Sequence, residues 1–133
     1  MAILADDLIW ATRLADLVRG AGAVAMPVRS AAALEATLDE VDRVVVDLTA
    51  RAYDGVAAIA LARAAGRPVL AVGQHDDVDL RRRALAAGAD RVHPYRRLFA
   101  DGPRQLAGWL ATEPGSDTAP AVQVPNQEGE TPT

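Results

Sequence analysis

Short apolar runs alternate along the chain with longer segments in which apolar residues recur at helical spacing. The apolar runs occupy residues 2–5, 23–28, 43–46, 68–72 and 91–93. The helical segments occupy residues 8–19, 31–41, 55–65, 78–87 and 102–111. The runs VVV and VLAV do not alternate polar with apolar residues, which is typical of strands buried on both faces. The sequence therefore predicts one doubly wound α/β domain, with a five-stranded parallel sheet between two layers of helices.

The composition excludes several classes of chemistry. There is no cysteine, so disulfides, thiolate metal sites and cysteine nucleophiles are absent. All 14 basic residues are arginine, and no lysine is present for a Schiff base or a mobile phosphate contact. No apolar run approaches the roughly 18 residues of a membrane span, and no basic segment precedes an apolar leader. We expect a cytoplasmic protein that does not bind membranes.

The C-terminal segment differs in composition from the rest. Residues 112–133 hold four of the eight prolines, four acidic residues and no basic residue. The other 14 acidic residues balance the 14 arginines, so residues 1–111 are close to neutral. A neutral domain lacks the positive field that nucleic-acid binding requires. The sequence predicts a folded domain over 1–111 and a disordered acidic, proline-rich tail over 112–133.

Acidic residues follow two of the predicted strands. Asp6 and Asp7 come after the first strand, and Asp47 ends the third, VVVD. These strands are neighbours in a parallel doubly wound sheet, so we expect three carboxylates at one edge. A cation such as Mg²⁺ would relieve their repulsion. Each residue also has a simpler interpretation, because Asp7 can cap a helix and Asp47 can open a turn.

Over residues 2–111 the chain resembles the receiver domain of bacterial two-component response regulators. The most specific segments are ILADD (3–7), DLTARAYDG (47–55), RPVLAVG (67–73) and RRALAAGAD (82–90). The family has an acidic pair after strand one and an acceptor aspartate after strand three. It also has an Asp-Gly after the acceptor, matched by Asp54-Gly55, and an Ala-Gly-Ala before strand five, matched by residues 87–89. The resemblance implies a flavodoxin-like fold and a signalling role rather than an enzymatic one.

The resemblance also implies roles for the acidic residues. Asp6 and Asp7 correspond to the metal-binding pair, and Asp47 to the phosphoryl acceptor. Thr49 would offer its backbone carbonyl to the cation. Mg²⁺ is the cofactor that this pattern implies.

Two groups that the family needs are missing. A Ser or Thr ends strand four in receivers, but Gly73 stands there in this chain. A lysine followed by proline ends strand five in receivers, and here the stretch reads RVHPYRR, so the lysine position falls on His93 or on Tyr95. In addition, Arg51 stands where the loop after the acceptor usually carries proline.

Arginines concentrate around the fourth predicted helix and the fifth strand. Receivers use the face made by helix four, strand five and helix five to bind partners or to dimerise. Aromatic residues there, namely Tyr95, Phe99 and Trp109, are candidate anchors. An ordinary solvated surface, with Trp109 in the core, is the alternative. We call the following set the arginine face: Arg81, Arg82, Arg83, Arg91, Arg96, Arg97 and Arg104.

These observations favour a pseudo-receiver, an interaction module without normal phosphorylation switching. Its partner would be a histidine kinase, a downstream regulator or a second copy of the chain. One alternative is a genuine single-domain response regulator phosphorylated on Asp47. The other is a small flavodoxin-like enzyme or ligand-binding domain, although the sequence offers no nucleophile–base pair and no cofactor loop.

Overall fold

The computed structural model describes residues 1–74 and 76–111, in which five strands form one parallel sheet. The strands are β1 (Ala2–Leu4), β2 (Met26–Val28), β3 (Val44–Asp47), β4 (Val69–Gly73) and β5 (Arg91–Pro94). They lie in the order β2-β1-β3-β4-β5. The predicted doubly wound sheet is therefore confirmed, with β1 next to β3 in the register that pairs Leu4 with Val46. The predicted disordered tail, 112–133, lies outside the described residues.

Within the described residues, six α-helices connect and flank the strands. They are α1 (Leu8–Gly20), α2 (Ala31–Thr37), α3 (Gly55–Ala64), α4 (Val78–Ala87), α5 (Tyr95–Ala100) and α6 (Gly102–Leu110). Side chains cap the helices as their sequences indicate: Ser30 accepts from Ala33 N–H at 3.1 Å and Asp77 from Leu80 N–H at 3.0 Å.

Most bounds lie within one residue of those predicted, and three elements differ by more. The second strand begins at Met26 rather than at residue 23, because its partner β1 begins at Ala2 and Ala2 pairs with Met26. The second helix ends at Thr37 and continues as a 3₁₀ turn over Leu38–Glu40. Helix α5 was not predicted, since six residues are too few to display a helical repeat.

The sheet separates two apolar layers, and alternate residues of each strand face opposite layers. In β1, Leu4 packs with α2, α3 and α4, whereas Ile3 packs with α1, α5 and α6. Trp109 of α6 is 1% exposed and belongs to the second layer. The hypothesis that Trp109 anchors a partner is therefore wrong, and the alternative of a core position holds. Within the described part of the chain, no helix has the length and apolar character to cross a membrane.

A buried arginine ties the end of α6 to the sheet. The Arg43 guanidinium donates to the carbonyls of Trp109 at 3.0 Å and Leu110 at 3.3 Å, and it lies 5.2 Å from the Trp109 ring centroid. Cationic donors at a helix C-terminus satisfy carbonyls that have no partner within the helix. Because Arg43 immediately precedes β3, α6 ends at the N-terminal edge of the sheet.

Two glycines with positive φ give a matched test of the packing between α3 and α4. Gly66 (φ +78°) has open space where a Cβ would stand, whereas a Cβ on Gly88 (φ +117°) would collide with the Cγ of Arg63. Gly66→Ala should cost about 1–2 kcal/mol of unfolding free energy, the cost of the backbone conformation alone. Gly88→Ala should cost more, since Arg63 must also move away from Asp90. Urea unfolding followed by tryptophan fluorescence measures both, and equal losses would contradict the collision.

Candidate functional site

Asp6 and Asp7 leave the end of β1 in different directions. Asp7 is the N-cap of α1, where its Oδ1 accepts from Ile9 N–H at 2.9 Å and Trp10 N–H at 3.0 Å. Asp6 reaches across to the loop that follows β3. Its Oδ2 accepts from the backbone N–H groups of Arg51 at 3.2 Å and Ala52 at 3.0 Å. The capping interpretation of Asp7 is thus confirmed, and Asp6 positions the loop after the candidate acceptor.

Asp47 ends β3 and is 1% exposed. Its Oδ1 accepts two hydrogen bonds from Thr49, one from the backbone N–H at 2.9 Å and one from the hydroxyl at 2.8 Å. Its Oδ2 is buried and has no hydrogen-bond partner among the described residues. The N–H and hydroxyl of Thr49 both hold the Asp47 carboxylate, and the predicted role of the Thr49 carbonyl towards a cation stays a prediction.

The aromatic side chain of Tyr95 lies over this carboxylate. The Tyr95 hydroxyl is 3.5 Å from the Thr49 hydroxyl oxygen, and Tyr95 is only 8% exposed. Burial, and then the Asp47 carboxylate, raises the pKa of Tyr95, so the phenol stays protonated. The ring packs against Trp10 with centroids 4.0 Å apart, and Phe99 extends the stack at 6.0 Å from Tyr95. Tyr95 is therefore a cover for Asp47 and not the exposed anchor expected from the sequence.

A second tyrosine, Tyr53, was missed at the sequence level. Its hydroxyl lies 2.9 Å from the Leu4 carbonyl and 2.7 Å from the Asp47 carbonyl, so it bridges the ends of β1 and β3. Burial, with the charges of Asp47 and Asp6, raises the pKa of Tyr53 and keeps it a donor. Tyr53 directly precedes Asp54-Gly55, and this position in the sequence does not predict the role of its hydroxyl. The contacts with Leu4 and Asp47 arise only because β1 and β3 lie side by side in register.

The predicted cation ligands, which are Asp6, Asp7, Asp47 and the backbone carbonyl of Thr49, lie at or after the C-terminal ends of β1 and β3, and their role in holding a cation stays a prediction. A cleft of about 340 Å³ at this edge is lined by Asp6, Asp7, Trp10, Thr49 and Arg51. Asp47 lies outside that lining, and Arg51 adds a positive charge to it. Across residues 1–74 and 76–111, no group of three or more His, Asp or Glu side chains is placed to hold a metal ion. One carboxylate oxygen in this region, the buried Oδ2 of Asp47, has no hydrogen-bond partner among the described residues, and Mg²⁺ at this edge stays a prediction.

The two positions at which the sequence differs from the receiver pattern lie side by side, at the C-terminal ends of β4 and β5. Gly73 pairs with Pro94, and Val72 pairs with His93. A Cβ on Gly73 would meet Leu48 at 3.5 Å, an ordinary contact, so the backbone does not require glycine there. His93 lies within β5 before Pro94, whereas Tyr95 already begins α5.

His93 is electrostatically unsuited to replace a lysine. Burial, followed by the positive charges of Arg91, Arg97 and Arg81, holds the pKa of His93 below its ordinary value of 6.5. Its Nε2 is buried with no hydrogen-bond partner in the described part of the chain. The lowered pKa makes the neutral imidazole the main form at pH 7, so His93 does not supply the full positive charge of a lysine.

The arginine face divides into engaged and available side chains. Arg81 donates to the Val92 carbonyl at 3.0 Å, and Arg91 to the Gln105 carbonyl at 3.5 Å. Arg82 pairs with Asp79 at 3.3 Å, and Arg104 with Asp101 at 3.6 Å. The remaining members are exposed and form no side-chain hydrogen bond or ion pair within residues 1–74 and 76–111: Arg83, Arg96 and Arg97.

The fold is that of known receiver domains. A receiver domain of a DNA-binding response regulator (merR) from Colwellia psychrerythraea 34H matches with a TM-score of 0.72 at 19% identity, over 84% of this chain and 97% of that one. The NtrX receiver domain from Brucella abortus matches with a TM-score of 0.67 at 17% identity, over 79% and 96%. A CheY-like receiver domain from Methanospirillum hungatei JF-1 matches with a TM-score of 0.65 at 16% identity, over 83% and 94%.

No protein-family model matches the sequence, and no curated protein matches it significantly. At these identities the structural likeness establishes the flavodoxin-like receiver fold alone.

The environment of His93 predicts how stability depends on pH. The unfolded chain protonates His93 near the ordinary pKa, whereas the folded chain resists protonation until a lower pH. Stability should therefore be full well above the ordinary pKa of 6.5 and should fall as the pH drops through that value. His93→Gln should reduce this loss. Urea unfolding at several pH values measures it, and an identical pH slope in the variant would contradict the assignment.

Because Tyr95 covers Asp47, we expect the Asp47 carboxylate to react slowly with reagents in solution. Carbodiimide with an amine nucleophile, followed by peptide mass spectrometry, should modify Asp47 much more slowly than Asp79, whose side chain is 70% exposed. Tyr95→Ala should raise the Asp47 rate, because it removes the ring above Thr49. Phe99→Ala is the matched control, since it removes the outer ring of the same stack and should leave Asp47 protected. An Asp47 rate unaffected by Tyr95→Ala would disprove the cover.

Proposed function

We propose that this protein is a non-enzymatic pseudo-receiver, an interaction module that has the receiver fold but does not switch by phosphorylation. The observation that carries the proposal is the state of Asp47. Its carboxylate is 1% exposed, bonded by Thr49 and covered by Tyr95. A phosphoryl donor needs an in-line approach to a carboxylate oxygen, and this arrangement closes that approach.

The absence of the strand-four hydroxyl and of the strand-five lysine also supports a receiver fold that does not switch by phosphorylation. A ligand shifts a conformational equilibrium only through contacts that differ between the two states. Gly73 has no hydroxyl to contact a phosphoryl group, although a side chain would fit there. His93 is mainly neutral near pH 7, and the chain contains no lysine to take its place. A phosphate on Asp47 would have neither a balancing charge nor a reporting hydroxyl.

The proposed partner surface is the arginine face beside β5. Residues 91–100 include Arg91, Arg96 and Arg97 and no acidic residue, so this stretch is locally positive within a domain of balanced charge. Arginine is enriched at protein interfaces because its planar guanidinium binds carboxylates in two places at once. A histidine kinase, a downstream regulator or a second copy with an acidic surface fits this chemistry. A neutral domain does not favour nucleic acid.

One alternative has a specific observation in its favour. Asp47 ends β3 with Asp6 and Asp7 at the neighbouring strand, the order found in phosphorylated receivers. A genuine response regulator would require Tyr95 to swing away from Thr49 and Asp6 to release the loop amides. The proposal and this alternative make opposite predictions for a phosphoryl mimic.

Beryllofluoride with Mg²⁺ tests the proposal by amide NMR on the full chain. We expect no saturable change that spreads from Asp47 to residues 91–104. Saturable shifts that reach this region, and that disappear in Asp47→Asn, would establish the genuine regulator instead.

A variant with the missing groups restored sharpens the test. Gly73→Thr combined with His93→Lys returns the hydroxyl and the ammonium, and Tyr95→Ala removes the ring above Thr49. This triple variant should gain the beryllofluoride response that the natural chain lacks. The matched control carries Asp47→Asn in addition and should lose it again. A response in the natural chain equal to that of the triple variant would contradict the proposal.

A further inference from the structure

We propose that the acidic segment 112–133 docks in cis onto a groove beside β5 and α5, with its carboxylates against Arg96 and Arg97. Docking itself depends only on the groove and the tail, while its regulatory consequence rests on the proposed function. The tail would occupy the surface that a partner needs, so an incoming partner would have to displace it.

The groove has an apolar floor between positive side chains. A cavity of about 270 Å³ is lined by Pro94, Arg96, Arg97 and Ala100. It adjoins a second cavity of about 370 Å³, to which Pro94 and Arg96 also contribute, together with Trp10, Gln74 and Tyr95. Aromatic and proline surfaces of this kind accept extended, proline-containing peptides.

The charges on the groove are available for a ligand. Neither Arg96 nor Arg97 has an ion pair or a side-chain hydrogen bond with any residue in 1–74 or 76–111. Both are exposed. By contrast, Arg82 and Arg104 already have carboxylate neighbours three residues away on their own helices. The groove is thus where an acidic peptide finds arginines that are not already paired.

The tail has the complementary composition. It carries the whole net charge of the chain, −4, because residues 1–111 are balanced. Its middle, PAVQVP at 120–125, is apolar and begins and ends with proline. Acidic residues flank that stretch, with Asp117 before it and Glu128 and Glu130 after it. An apolar core between acidic ends matches an apolar groove beside arginines.

The tail is long enough to reach the groove. Arg43 holds the end of α6 at the N-terminal edge of the sheet, while the groove lies past the C-terminal end of β5. Crossing a strand of four or five residues takes about 15 Å at roughly 3.3 Å per residue. Residues 112–119 alone span about 25 Å when extended at about 3.1 Å per residue. Tethering also places the tail at an effective concentration on the order of millimolar, so a weak contact suffices.

Paramagnetic NMR on the full chain tests the proposal directly. The natural sequence has no cysteine, so Gln127→Cys gives a single site for a nitroxide label. At low ionic strength, amide signals of residues 95–100 should lose most of their intensity relative to the reduced label. The loss should weaken towards 1 M salt, where the Debye length falls to about 3 Å.

Matched charge reversals locate the contact. Arg97→Glu in the labelled chain should restore the signals of residues 95–100. Arg83→Glu makes the same change of charge at an exposed position on α4 and should leave the signal loss intact. Equal effects of the two reversals would mean general attraction to a positive surface, and they would overturn the docking site.

Two further outcomes would also overturn the proposal. If ¹⁵N-labelled natural chain mixed with unenriched nitroxide-labelled chain shows the same signal loss, the occupant is the tail of a second copy and docking is not in cis. If no signals in 95–100 weaken, the groove serves another partner. Neither outcome affects the beryllofluoride result, so failure of tail docking and failure of the pseudo-receiver proposal can be distinguished.

Discussion

The Tyr53 hydroxyl joins the ends of the two strands that carry the acidic residues. It lies 2.9 Å from the carbonyl of Leu4 and 2.7 Å from the carbonyl of Asp47, so one side chain contacts the C-terminal ends of both strands. Asp6 then binds the amides of the loop from the other side. These contacts hold the loop that follows β3 on both sides. In this loop conformation Thr49 donates hydrogen bonds to Asp47, and Tyr95 packs over the same carboxylate.

This arrangement explains how a buried carboxylate is tolerated. A charged group inside a protein needs donors to replace water, and Asp47 Oδ1 has two from Thr49. The protonated phenol of Tyr95 approaches the same cluster while its ring packs on Trp10. Hydrogen bonds from Thr49 and aromatic packing of Tyr95 on Trp10 thus surround the Asp47 side chain.

The charges of residues 1–111 balance overall, but the arginines are clustered. They gather around α4, β5 and α5. Arg82 on α4 and Arg104 on α6 have carboxylate partners, while Arg96 and Arg97 border an apolar groove. Binding on this surface combines burial of apolar area with paired charges, and paired charges contribute more to specificity than to affinity.

The sequence by itself determined the alternation of strands and helices, the sheet type, most helix caps, and the absence of the lysine and the strand-four hydroxyl. Those features follow from local periodicity and residue type, which do not depend on distant contacts. The tertiary structure alone decided that Asp7 caps α1 instead of turning to Asp47, that Tyr95 covers Asp47, and that Trp109 is buried with Arg43. Each of the last two joins residues more than 40 positions apart. Such contacts are set by how helices pack on the sheet, which no local pattern records.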